Sequence, residues 1–118
     1  MKESVIIQKS KSFALRIIAI YRYLSDEKRE YVLSKQLLRS GTSIGANVAA
    51  SSNAQSDADS VACLYMSLKE AGETQYWLEL LHESGYLEDD EFESVCIDCE
   101  EVIKALTAII VSMKNKSK

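Results

Sequence analysis

Proline is absent from this chain, and glycine occurs only four times, at Gly41, Gly45, Gly72 and Gly85. So few chain-breakers exclude collagen-like, proline-rich and turn-dense all-β architectures and favour long helices joined by short connections. Histidine and tryptophan occur once each, as His82 and Trp77. A single histidine removes, within one subunit, every site that needs two. Cysteine occurs three times, as Cys63, Cys96 and Cys99, an odd set that points to reduced thiols and not to a disulfide framework. Long apolar runs are also missing. Val5-Ile6-Ile7 ends at Gln8 and Lys9, unlike a secretory signal, and the apolar stretch 102–113 is short and interrupted by Lys104, Thr107 and Ser112. A cytoplasmic protein with no membrane partner is expected.

What remains is ordinary globular material: 118 residues, 47% hydrophobic and 27% charged. That length suits one domain, residues 1–118, able to fold without staples. The net charge of −4 is unevenly spread. Residues 1–40 hold nine Lys/Arg against four Asp/Glu, residues 41–86 one against six, and residues 87–118 four against eight. An acidic whole argues against a general nucleic-acid coat, whereas the basic first third leaves room for a local patch.

Four segments carry helical periodicity. In residues 5–24 the apolar side chains cover an arc of roughly 160°, wider than the roughly 100° stripe of a surface helix. Residues 30–52 begin amphipathic and then turn to small side chains, Gly41-Thr42-Ser43-Ile44-Gly45-Ala46. Two glycines this close lower helix propensity by about 1 kcal/mol each, which implies close approach of a neighbouring helix, a kink at Gly41-Thr42, or both. Ser56 or Asp57 is suited to cap a third segment, residues 57–84, whose expected core seam is Val61, Leu64, Leu68, Ala71, Gln75, Leu78 and His82. A second apolar line, Tyr65, Met66, Tyr76, Trp77 and Leu80, faces elsewhere. Gly85 suits a helix end, with Leu87 for the accompanying apolar contact. Asp89-Asp90-Glu91 opens the fourth segment, with Val95, Cys99, Val102, Leu106, Ile109 and Met113 as its seam. The expected fold is all-α, an antiparallel up-down-up-down four-helix bundle.

No catalytic signature emerges. Glu79-Leu80-Leu81-His82 is one copy of the Glu-x-x-His element of di-iron bundles, but the lone histidine forbids a second. Gly41-Thr42-Ser43-Ile44-Gly45 is neither a nucleophile elbow nor a phosphate loop. Cys96-Ile97-Asp98-Cys99 lacks a second pair, so core burial of the two thiols is the simpler account. One polar set is ordered: Arg39, Ser43 and Asn47 share a helix face, as do Glu70, Glu73 and Trp77. Arg39 is placed to meet Glu70 or Glu73 across two helices, either as a register device or as part of a ligand site.

The stretch Leu37-Leu38-Arg39-Ser40-Gly41-Thr42-Ser43-Ile44-Gly45-Ala46-Asn47-Val48, followed by Ala54-Gln55-Ser56 and by Leu68-Lys69-Glu70-Ala71-Gly72-Glu73-Thr74-Gln75-Tyr76-Trp77-Leu78-Glu79-Leu80-Leu81, resembles the four-helix bundle proteins encoded within intervening sequences of bacterial large-subunit ribosomal RNA genes. The accessory protein of diversity-generating retroelements is related to them. The resemblance covers nearly the whole chain. It implies a four-helix bundle and a homopentameric ring, with no enzymatic activity established; no cofactor is expected. Arg39, Ser40, Ser43, Asn47, Glu70, Glu73 and Trp77 match the family's polar pattern; Ala49-Ala50 departs from it where a glutamate is usual. The expected function is therefore a ring-forming interaction protein, accessory to RNA or a ribonucleoprotein. Its candidate nucleic-acid contacts are Lys9, Lys11, Arg16, Arg22 and Lys35. The alternative is a metal- or small-molecule-binding bundle with sites shared between subunits.

Overall fold

A computed structural model describes residues 2–116 and contains four helices, α1 (Lys2–Asp26), α2 (Leu33–Ser52), α3 (Asp57–Glu83) and α4 (Asp89–Lys116). They form an antiparallel up-down-up-down bundle of 49 × 22 × 20 Å, the length expected of helices rising about 1.5 Å per residue. Contacts run α1–α2, α2–α3, α3–α4 and α4–α1, so α1 and α3 occupy diagonally opposite corners, as do α2 and α4.

Each helix contributes one apolar stripe to the core. Ile6, Phe13, Ile17, Ile20 and Leu24 come from α1, Leu37, Ile44 and Val48 from α2, and Val95, Cys99, Val102, Leu106, Ile109 and Ile110 from α4. The fourth seam is as expected, with Met113 half-buried at its end. The third is not. On α3 the buried line is Leu64, Ser67, Ala71, Thr74, Leu78 and Leu81, which replaces Val61, Leu68, Gln75 and His82 at the centre. Apolar residues lie all round this helix, so periodicity alone does not choose its inner face. The choice is made by α2, whose small side chains let two hydroxyls be satisfied. Ser67 Oγ donates to the Ile44 carbonyl at 2.8 Å, and Thr74 Oγ1 lies 2.9 Å from Ser40 Oγ and donates to the Glu70 carbonyl.

Of the two explanations for the glycines of α2, close approach holds. The helix runs unbroken through Gly41 and Gly45. A Cβ on Gly41 would sit 2.8 Å from both γ-carbons of Ile17, so α1 lies against bare backbone there. Helix ends follow local chemistry. Ser56 caps α3 by accepting from the Asp59 N–H. Gly85, at φ +88°, turns the chain out of α3, and Leu87 is buried beyond it.

The second helix starts at Leu33 and not near Glu30, because Glu30 is its cap. Its carboxylate accepts the N–H groups of Val32, Leu33 and Ser34 at 3.1, 3.0 and 2.7 Å, while its carbonyl accepts from Ser34 Oγ. Burial by itself would raise this carboxyl. The three N–H groups outweigh that and hold it below the ordinary glutamate range.

Candidate functional site

The small-residue half of α2 brings its backbone close to α3, and the polar set forms along the rim of that contact. Arg39 spans the gap as a fork: Nη1 reaches Glu70 Oε2 at 3.2 Å and Nη2 reaches Glu73 Oε1 at 3.1 Å. The Arg39 side chain is 49% exposed, whereas the Glu70 side chain is 19% exposed. Burial, together with a hydrogen bond that the protonated Glu70 carboxyl donates to Glu73, raises the Glu70 carboxyl despite the Arg39 charge. One cation thus serves two crowded carboxylates.

The other members of the set divide. Ser40 is buried and joined to Thr74, part of the helix contact and not of the rim. Ser43 and Asn47 turn back onto their own helix, Ser43 Oγ donating to the Arg39 carbonyl and Asn47 Nδ2 to the Ser43 carbonyl. Trp77 is half-buried with its ring edge-on to Tyr76, at a centroid separation of 5.2 Å. Its Nε1 is buried without a hydrogen-bond partner among the described residues. The arrangement is an interhelical clamp. It brings together no nucleophile with a base.

The five candidate nucleic-acid contacts separate into two groups. Lys9 pairs with Glu101 at 3.7 Å, and Arg16 reaches Asp98 at 2.5 Å, Glu91 at 3.3 Å and Ser94 Oγ at 2.9 Å. These two cations tie α1 to α4. Their signal was present in the sequence as Glu91, Ser94, Asp98 and Glu101, a helical stripe matching the Lys9–Arg16 edge. Lys11, Arg22 and Lys35 are exposed and make no ion pair among the described residues.

His82 and the cysteines hold positions in the packing. His82 stacks on Phe92, with centroids 4.1 Å apart, and its Nε2 lies 2.7 Å from Asp89 Oδ1, joining the end of α3 to the start of α4. Glu79 remains exposed. Cys99 is buried with Sγ directed at the Ala71 carbonyl, 3.6 Å away; burial, then Cys96 and Glu100, push its thiol up to about 12. Among the described residues, no three His, Cys, Asp or Glu side chains are grouped to hold a metal ion. No described helix is long and apolar enough to cross a membrane.

The sequence pattern of the 23S rRNA-intervening sequence proteins matches residues 2–108, nearly the whole bundle. The chain belongs to that family. It is also similar to a crystallised protein of unknown function from the S23 ribosomal protein family of Bacteroides thetaiotaomicron VPI-5482. The two are 49% identical and superpose with a TM-score of 0.92, over 93% of this chain and 98% of the other. No curated protein matches the chain. Family membership and the observed bundle agree with the resemblance carried by the Arg39–Val48 and Leu68–Leu81 stretches. The family's function is not known.

Proposed function

We propose that this chain is a non-enzymatic, ring-forming interaction protein that serves RNA or a ribonucleoprotein in the cytoplasm. The observation that carries the assembly is apolar surface left over on both outer faces of the bundle. Leu15 on α1 is 59% exposed, and Met66 and Tyr76 on α3 are 56% and 53% exposed. A four-helix core needs one stripe per helix, and the surplus on a soluble protein marks an interface. The number of subunits, five, comes from the family resemblance alone.

Multi-angle light scattering of the eluting protein tests this: a multiple of the 13.2 kDa chain is expected. A monomer mass at micromolar concentration overturns it. For RNA, the cations available in the subunit are Lys11, Arg22 and Lys35, repeated around the ring. Binding to structured RNA in a filter assay is expected to be weak and to fall steeply with salt, because each neutralised phosphate releases counterions. Retention that is absent, or unaffected by reversing these three charges, removes RNA from the proposal.

A further inference from the structure

Two surfaces on one subunit complement each other, and neither is explained within that subunit. The first is the outer stripe of α3, where Tyr65, Lys69, Gly72 and Tyr76 follow each other at 4-3-4 spacing, flanked by Met66, all exposed. Gly72 has nothing within 4 Å of a Cβ built on it, so no internal neighbour accounts for a glycine in the middle of a 27-residue helix. Lys114 fixes Tyr65, its Nζ lying 3.1 Å from the hydroxyl and 5.6 Å from the ring centroid. The second surface is a shallow groove of about 270 Å³ between α1 and α2, lined by Ile7, Lys11, Ala14, Thr42, Ala46 and Ala49. Small side chains make it a hole without a knob.

The charges match as well. The exposed cations Lys11, Arg22 and Lys35 lie on the α1–α2 side, whereas α3 carries the exposed Glu79 and Glu83 beside its stripe. Heights along the bundle can be read from the packing: Gly45 meets Ser10, and Ser67 meets Ile44, so Met66 stands level with the groove. Gly41 meets Ile17 and Ser40 meets Thr74. Arg22, Lys35 and Glu79 each lie five or six residues further in the same direction, roughly 8 Å beyond that level. Copies standing side by side with parallel axes therefore bring knob to hole and acid to base at the same heights.

We infer that the outer stripe of α3, led by Tyr65 and Met66, seats in the α1–α2 groove of a second copy of this chain, with Glu79 facing the second copy's Lys35 and Arg22. The inference rests on the ring-forming reading and deepens it. Because the two patches differ, the contact is head-to-tail, the kind that generates rings when the rotation closes. The groove and the α3 stripe face directions short of opposite, since the groove lies on a side adjoining α2 and α3 projects from a corner. Successive copies therefore turn. Lys11 lines the groove, and Arg22 and Lys35 share its side of the bundle, so reversing the three acts on the ring as well as on RNA. A reversed variant that dissociates by light scattering supports the interface, and one that stays assembled while losing RNA assigns these cations to RNA and counts against it.

Cross-linking the full-length chain tests the contact, with Cys63→Ser and Cys96→Ser as background. Met66→Cys and Ala46→Cys variants, mixed, unfolded together and refolded, are expected to form disulfide-linked dimers on oxidation. Each alone is expected to give none, and both in one chain to give a ladder ending at the ring. A Met66→Cys variant that links to itself would show a two-fold contact and overturn the inference. Assembly to the wild-type mass without any 66–46 link also overturns it, while leaving the ring-forming reading intact. A wild-type protein that is monomeric by light scattering removes that reading itself. As an independent check, Met66→Glu is expected to yield monomers with unchanged helical circular dichroism; an assembled Met66→Glu protein counts against the interface.

Discussion

Glu30 should be among the most costly surface-proximal residues to replace, although it lies in a connector. It stands three residues ahead of α2 and satisfies three N–H groups that no other side chain caps. In Glu30→Ala, Val32 is 72% exposed, so its N–H can return to water at small cost. The Ser34 N–H is different: Ser34 is fully buried, and its 2.7 Å bond would be lost without replacement. An unsatisfied buried donor costs about 1–3 kcal/mol, and a lost helix cap about 0.5–2 kcal/mol. The expected loss is roughly 2–3 kcal/mol for Glu30→Ala and about 1 kcal/mol for Glu30→Gln, which keeps one acceptor oxygen. The carboxyl is held below its ordinary value of 4.5 in the folded chain, so the charged form carries the stabilisation. That contribution is complete above the ordinary value and is lost as pH falls through the lowered one. Urea denaturation of wild type, Glu30→Gln and Glu30→Ala at one protein concentration, at pH 7 and pH 3, gives the comparison. The wild-type advantage over Glu30→Gln should shrink at pH 3. An advantage of equal size at both pH values, or a Glu30→Ala loss under about 0.5 kcal/mol, would refute the capping argument.

Gly41→Ala adds a Cβ 2.8 Å from both γ-carbons of Ile17, and Ile17 cannot swing aside because its own Cβ is only 3.1 Å away. Overpacking of about 1–3 kcal/mol outweighs the gain of about 1 kcal/mol in helix propensity, so a net loss of about 1 kcal/mol is expected, and a raised melting temperature would contradict it. Arg39→Ala should cost about 1–2 kcal/mol, between the values for exposed and buried pairs, because the Arg39 side chain is half exposed while Glu70 is not. Glu70, already raised, would rise further without its cation. A carboxyl raised in the folded state loses stability as pH rises through it, so the Arg39→Ala deficit should be larger at pH 8 than at pH 4. A pH-independent deficit, or none, would show that the fork carries no electrostatic load.

Local spacing by itself settled the four helices, a cap for α3 at Ser56 or Asp57, the turn at Gly85, the seam of α4, and the shared faces that hold Arg39 on one helix and Glu70 with Glu73 on another. These are properties of 3- and 4-residue intervals, which a single helix expresses without help from its neighbours. Tertiary structure decided what spacing leaves open. The inner face of α3 passes through Ser67 and Thr74 because α2 offers a carbonyl and a hydroxyl at those heights; without those partners, burying two hydroxyls would be unfavourable and Leu68 would be the better choice. Lys9 and Arg16 are structural cations because α4 returns alongside α1 with Glu101, Asp98 and Glu91 in register, a coincidence across more than 70 residues of chain. Glu30 is a cap and not a helical residue because the chain reverses between α1 and α2, leaving the first N–H groups of α2 facing its carboxylate. Which side chains one helix can bury is a matter of its own period; which of them it does bury depends on the surface that meets it.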